Sequence, residues 1–479
     1  MLGAVALVPR LAAAFARPPW HDEYFTAWAA RLPFGELIAA LRVDSGPPLP
    51  YLLVKFFTIF GLGPLPASRL IAVAAGTGAV LLGALAARRA FGEEAGWWTG
   101  FVLALHPLAV AWSCEGRAYA LLLLCAAFGW ERIEKLARTG TGAVGVALAV
   151  ALACWSHGLG LLLALALTAA ALTLPRAARG RSVAAVAAGL ATHLLWLPVA
   201  LKQPPASIAW MTTAWRSLPP PSRAVAPVRL LSPLGDFRTA LDLPGSPWWL
   251  EGAAAALVLA LLVTSWRARP TPWRTLIGFL LPPAALGTLA ALGVPAFYPG
   301  RGEAIYLLPF LMLVAVGASR SRLARVAGAL LVAGAAAMSA TAVARWAATP
   351  PSGEQRLATA LREGMPSGGR VVIGGFWRLG IAYHLGGDAG RFLLVNVPAS
   401  AAAHPGWYDP GSDRPSPGEL DRLLEELETH PAPTAVVVTP GLPTADALAR
   451  VALALGLRPA LAVPGARAYL PGGGPAEGP

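Results

Sequence analysis

Charge is what this sequence has least of. Only 13% of its 479 residues are Asp, Glu, Lys or Arg, and the mean hydropathy is +0.58. A soluble globular chain carries roughly 25%. The shortage, with long apolar runs, excludes an ordinary soluble domain and points to an integral membrane protein. Cysteine is almost missing. Cys114, Cys125 and Cys154 are odd in number, lie in or beside apolar segments and lack metal-ligand spacing, so no disulfide framework is expected. Acids are scarcer than bases, 25 against 38, for a net charge of +13. No basic stripe with interleaved aromatics accompanies that excess, so it does not announce nucleic acid. There is no Gly-x-Gly-x-x-Gly, no P-loop and no tandem repeat. The low Lys content and the wealth of Ala, Arg, Gly and Pro suit a GC-rich bacterial genome.

What is present is a series of apolar runs. They fall at roughly 2–17, 67–87, 95–112, 117–136, 141–156, 158–175, 183–201, 249–266, 274–293, 304–319 and 323–345, near the lower limit of about 17 residues for a span. The first contains Arg10 and is followed by Pro18, Pro19 and Trp20 with no Ala-x-Ala signal. It reads as a transmembrane helix rather than a cleaved leader. Leu49 to Gly61 is apolar but short and prolyl, and it contains Lys55. If it does not span, eleven helices remain. The loops 88–94, 132–140, 176–182, 267–273 and 320–322, each basic, then fall together on the cytoplasmic side. The Leu49–Gly61 stretch is therefore expected to be an interfacial helix, with Phe56, Phe57 and Phe60 at the headgroups.

This topology puts 18–66, 202–248, 113–117, 294–303 and everything after about 346 outside. The tail, 347–479, holds 12 of the 25 acids. The β-rich runs Val371–Ile373, Phe392–Val397 and Ala435–Thr439 alternate with helical periods over Glu419–Thr429 and Thr444–Leu455, which predicts a small α/β domain. The Gly/Pro-rich end from Gly472 reads as disordered. The expected organisation is a transmembrane domain over 1–346 and an extracytoplasmic α/β domain over 347–479.

Ionisable groups at membrane depth are costly and tend to be functional. Glu93, Glu94, Glu131 and Glu134 belong to cytoplasmic loops and are expected to be solvated. The other nine acids up to residue 349 map to the outer face. His21-Asp22-Glu23-Tyr24 offers two adjacent carboxylates, one to take a proton and one to position substrate or hold a cation; the structural alternative is a helix N-terminal acidic pair. Asp44 precedes Gly46-Pro47-Pro48, either facing the first loop or capping the interfacial helix. In Trp112-Ser113-Cys114-Glu115-Gly116-Arg117-Ala118-Tyr119, Glu115 and Arg117 either pair with each other or reach a phosphate. Tyr298-Pro299-Gly300-Arg301-Gly302-Glu303 supplies a second phosphate ligand in Arg301, or a snorkelling one. His21, Glu23 and His157 are candidates for a divalent metal, although their spacing demands none; a lone His157 at an outer turn is more often a hydrogen-bonded core residue.

Taken in order, the Asp22-Glu23 pair, the Asp-x-x-Pro-Pro-Leu-x-Tyr stretch at 44–51, the Ser-x-Glu-x-Arg-x-Tyr turn at 113–119 and Arg301 before Leu307-Leu308-Pro309 resemble the GT-C superfamily of glycosyltransferases. The chain is more closely similar to family 39, the protein O-mannosyltransferase and aminoarabinose-transferase group. It departs from that pattern where Ser45-Gly46 stands in place of a His before the prolines, at Cys114 and Gly116, and in lacking an Arg-Tyr pair at 301. The resemblance implies a polyprenyl-phosphate-linked sugar donor, a lipid, glycan or protein acceptor on the outer side, and Asp22 as base beside Glu23 and Asp44. Glu115, Arg117, Tyr119, Tyr298 and Arg301 would bind substrate and phosphate. Two rivals are a ligase or polymerase of lipid-linked glycans, which would use the 202–248 loop, and a lipid-linked sugar transporter, which would need charge deep in its helices and paired broken segments.

Overall fold

The computed structural model describes residues 1–205, 207–208, 211–212, 216, 248–267, 273–294, 300–403, 415–416 and 418–472. The chain divides into two compact units. One comprises Met1–Arg17 and Ser45–Ala348; the other comprises Pro18–Asp44 and Thr349–Pro479. The first loop is thus shared between them.

In chain order the helices are α1 (Leu2–Ala16), α2 (His21–Arg31), α3 (Phe34–Arg42), α4 (Leu49–Thr58), α5 (Pro64–Phe91), α6 (Glu93–Leu105), α7 (Pro107–Cys114), α8 (Tyr119–Thr139), α9 (Ala143–Ser156), α10 (Gly160–Leu172), α11 (Arg176–Thr192), α12 (Trp248–Trp266), α13 (Trp273–Ala291), α14 (Leu307–Ala318), α15 (Arg322–Ala348) and α16 (Gly353–Gly364). The first unit is a helical bundle whose exterior is apolar. Val8, Phe15, Leu81, Leu148, Leu161, Leu259 and Leu330 are all exposed. In water such a surface would associate, whereas in lipid it is the natural solvent face. Among the described residues three helices are long and apolar enough to cross a membrane: α5, α13 and the one that begins at Arg322.

The expected run 95–112 is broken into α6 and α7 at His106-Pro107. Pro107 has no N–H, so the Leu103 carbonyl loses its helical donor. Arg10 answers from α1. Its Nη2 donates to Leu103 O at 3.2 Å, its Nη1 to Ala104 O at 2.7 Å and to Ala6 O at 2.8 Å, and its Nε to Ser113 Oγ at 3.1 Å. The guanidinium is completely buried, so one side chain stitches the break together.

Among the described residues, basic side chains from the edges of the five basic loops gather at one end of the bundle. Arg89 and Arg132 both pair with Glu131, Arg274 donates twice to Glu134 at 2.7–2.8 Å, Arg325 Nε meets Glu94 at 2.7 Å, and Arg181 donates to Gly140 O at 2.8 Å. Arg274 also donates to Thr173 Oγ1 at 3.2 Å. Glu131 and Glu134, expected from the sequence to be solvated, are not. They are 0% and 3% exposed, because Glu131 is the buried partner of Arg89 and Arg132 and Glu134 that of Arg274.

At the opposite end, Arg69 Nη1 at the start of α5 donates to the carbonyls of Ala14 and Arg17, both at 2.7 Å. The chain therefore leaves α1 and enters α5 at the same end. Helix α4, with ten residues, is about 15 Å long, half of the roughly 30 Å hydrocarbon thickness. It does not cross the bundle; its Phe56 is exposed, as is Phe60 just beyond its end. Its N-cap is Pro48, without a side-chain cap, so Asp44 is not the cap the sequence allowed.

The second unit contains a five-stranded sheet: β1 (Gly369–Gly374), β2 (Phe392–Val397), β3 (Thr434–Val438), β4 (Arg458–Val463) and β5 (Ala466–Leu470), in the order β2-β1-β3-β5-β4. β2 and β3 flank β1 in parallel, and the β4–β5 hairpin closes the edge antiparallel to β3. Side chains alternate between faces, as the pleat requires. Val371, Ile373, Ala435 and Val437 pack with Leu357 and Leu361 of α16 and with Ile381 of α17 (Trp377–Leu385). Val372, Val436 and Val438 pack with Leu427 of α18 (Glu419–Thr429) and Leu448 of α19 (Ala445–Ala454). Helices thus cover both faces of the sheet.

Candidate active site

In the helical unit, the end opposite the basic loops gathers Glu115, Arg117, Tyr119 and Arg301 of the sequence-derived set, with His157. Tyr119 begins α8 and is buried. Its ring has the Arg301 guanidinium over it at 5.7 Å and the His157 ring beside it at 5.4 Å. Arg301 is brought there by a turn that needs Gly300 at φ +82°, a conformation open to glycine. Trp112 fastens the same turn, its Nε1 donating to Gly300 O at 2.8 Å. His157 caps α9 in the turn before α10, where its Nδ1 accepts from Leu159 N at 3.1 Å. Burial first, then the guanidiniums of Arg117 and Arg301, push it down to about 3. Both guanidiniums thus act on one half-buried imidazole at this end of the bundle.

Glu115 pairs with Arg17 rather than Arg117, each side chain 12–13% exposed. Arg17 also lies over the Trp346 ring at 5.2 Å. Arg117 is next to Glu115 only through its backbone, donating to the Glu115 carbonyl at 2.8 Å. The pairing of Glu115 with Arg117 weighed from sequence gives way to a longer-range one, which leaves Glu115 fastening the end of α1 to the 115–119 turn.

In the other unit, α2 carries Asp22 and Glu23 in its first turn. Glu23 is fully buried and accepts from the Trp20 N–H at 3.3 Å, the reach-back half of a capping box. Asp22 is only partly buried. His21 packs against Phe376 at 5.0 Å between ring centroids. Asp44 closes the turn after α3, its N–H donating to Leu41 O at 3.3 Å. Tyr298 lies outside the described residues, as does most of the 202–248 loop. Among the described residues no three His, Cys, Asp or Glu side chains are grouped to hold a metal. Of the three candidates named for one, His21 and Glu23 belong to one unit and His157 to the other.

No family model matches the sequence, and no curated protein does. Solved structures do. The chain is similar to apo ArnT from Cupriavidus metallidurans, with a TM-score of 0.50 at 15% identity over 98% of this chain and 96% of that one. It is similar also to the apo oligosaccharyltransferase of Archaeoglobus fulgidus, with a TM-score of 0.52 at 14% identity over 91% and 69%. ArnT bound to undecaprenyl phosphate aligns at 0.47, with 15% identity over 98% and 97%.

The chain has the GT-C fold.

Within that fold, sequence reasoning missed four side chains. Arg17 and Arg69 lie at the ends of apolar runs, and nothing local marks their partners 98 and 55 residues away. Arg10 is a charge in an apolar helix, a signal that could have been followed. Trp112 lay within a quoted motif, yet its bond to Gly300 joins two separate turns.

Proposed function

We propose that the chain is an integral membrane glycosyltransferase that moves a sugar from a polyprenyl-phosphate donor to an acceptor on the extracytoplasmic face of a bacterial cell membrane. The observation that carries this reading is the placement of Arg301 over the Tyr119 ring, with His157 beside that ring and Arg117 acting on the same imidazole, at the end of a GT-C bundle opposite its basic loops. By the positive-inside rule the basic end is cytoplasmic, which makes the Arg117–Arg301 end extracytoplasmic and goes with eleven spans. ArnT takes undecaprenyl phosphate, and a donor of that class would bring a phosphate to membrane depth.

The reaction then divides as follows. The acceptor hydroxyl attacks the anomeric carbon while the bond from that carbon to the phosphate oxygen breaks, inverting the centre. Polyprenyl phosphate departs with the bonding electron pair. Asp22 takes the hydroxyl proton as general base, with Glu23 and Asp44 as the accompanying acids. Arg117 and Arg301 hold the phosphate, where a planar, permanently charged fork suits its oxygens. Preorganised cations in a dry site act most on the charge that develops on the leaving group, and Tyr119 steadies Arg301 through its ring face. The acceptor is a lipid, a glycan or a protein. The test is sugar transfer from polyprenyl-phosphate sugars in proteoliposomes, with Asp22→Asn as the control. Full activity in that variant removes Asp22 as base, and a strict need for a diphosphate-linked glycan donor favours a ligase.

A further inference from the structure

Helix α2 belongs to the same unit as the sheet, and its attachment there is specific. Tyr24, two residues after Asp22, is 1% exposed. Its hydroxyl lies 2.8 Å from His384 Nε2 and 3.2 Å from Ser352 Oγ. Ser352 is the N-cap of α16, accepting from Gln355 N at 3.2 Å, and His384 sits in the last turn of α17. One phenol thus ties α2 to two helices of the tail. The fit around it is close. A Cβ at Gly380 would stand 3.0 Å from Tyr24 Cε2 and 2.3 Å from Glu354 Cγ. The Tyr383 ring packs 5.5 Å from that of Tyr24, and the Arg31 guanidinium caps Tyr383 at 5.8 Å. Arg362 Nη2 donates to the His384 carbonyl at 3.0 Å and fixes its backbone. A buried phenol with its partner removed is costly, and a half-buried imidazole less so. Burial also raises the Tyr24 hydroxyl above its ordinary range and lowers His384, so the contact is between neutral groups near pH 7.

We propose that the α/β region after residue 349 is the positioning scaffold of the transfer reaction, with His384, through Tyr24, setting the orientation of the α2 turn that presents Asp22. The proposal rests on the glycosyltransferase reading above. Tyr24 and His384 are positioning residues, since they act through the helix that carries the carboxylate. Orientation is where such a contact matters, because a misplacement of about 1 Å can cost about 100-fold in rate.

The experiment uses the full-length protein in proteoliposomes, with steady-state kinetics for a polyprenyl-phosphate sugar and hydrogen exchange of α2. Tyr24→Phe and His384→Leu are each expected to lower kcat about tenfold with the donor KM unchanged. The double variant is expected to be no worse than the weaker single one, since both remove one contact. His384→Gln, whose amide can stand in for Nε2, is expected to restore most of the rate. Amides of residues 21–31 should exchange faster in the first two variants, while those of residues 64–91 stay as in the wild type. Unchanged exchange in α2 overturns the proposal, as do additive losses, an unchanged kcat despite faster exchange, or a rise in donor KM at constant kcat. If the wild type transfers no sugar from any polyprenyl-phosphate donor, the glycosyltransferase reading fails instead. The exchange measurement still decides whether His384 anchors α2.

Discussion

Arg69 and Arg17 meet at one end of the helical bundle, Nη1 of the first donating to the carbonyl of the second at 2.7 Å. With the bond to the Ala14 carbonyl, it places the start of α5 at the end where α1 finishes. It predicts accessibility. All three native cysteines are buried, so single introduced cysteines can be read against a low background. A cysteine at Glu94 is expected to react only with reagent on the cytoplasmic side, and one at Gly158, in the exposed turn between α9 and α10, only from outside. Labelling of both from the same side would sink the topology.

The two guanidiniums should be unequal to any replacement. Arg301→Lys keeps the charge but loses the fork and the broad face over Tyr119. Removing one preorganised donor to developing charge costs about 10²–10³ in rate. Arg117→Ala and Arg301→Ala are expected to lower kcat/KM by about that factor in the transfer assay, with Arg301→Lys only partly restored. Wild-type turnover in either alanine variant would remove that residue from the site.

Arg10 makes a different prediction, on stability. Arg10→Met keeps the bulk but strips the donors from the carbonyls of Leu103 and Ala104. Each unsatisfied buried carbonyl costs about 1–3 kcal/mol. Gly76→Ala probes the same joint without touching charge, since the new Cβ would fall 1.9 Å from Ser113 Oγ and 2.9 Å from Arg10 Nε. Both variants are expected to lower the Tm in detergent by several degrees. A Tm equal to wild type in both would show that the break at Pro107 is held by something else.

How far these features could be read in the sequence follows from their range. Apolar runs locate long apolar helices because lipid imposes length and composition locally, and α5, α13 and α15 fall where such runs predict. The β-rich runs at 371–373, 392–397 and 435–439 likewise lie on β1, β2 and β3. β4 and β5 carry Pro459, alanines and arginines, and so lack that signature. Pairing was not legible. Glu131 and Glu134 look like loop acids until Arg89 and Arg274 arrive from other helices. Nothing in the sequence of α2 tells that the partners of Tyr24 lie 328 and 360 residues later. Motif order gathers Glu115, Arg117, Tyr119 and Arg301, but only packing assigns Glu115 to Arg17.

His157 gives the pH dependence. Burial and the neighbouring guanidiniums hold it down to about 3, against about 6.5 in the unfolded chain. The folded form therefore binds fewer protons than the unfolded form between those two values, and stability rises with pH across that window. The contribution is present above about pH 6.5 and is lost progressively as the pH falls toward 3. His157→Gln cannot gain that proton. It is expected to have a lower Tm than wild type at pH 7.5, where it lacks the packed imidazole, but a shallower fall in Tm from pH 6.5 to 4.5. Parallel Tm–pH curves for the two proteins would mean that the acid sensitivity lies elsewhere, and that Arg117 and Arg301 do not press on His157.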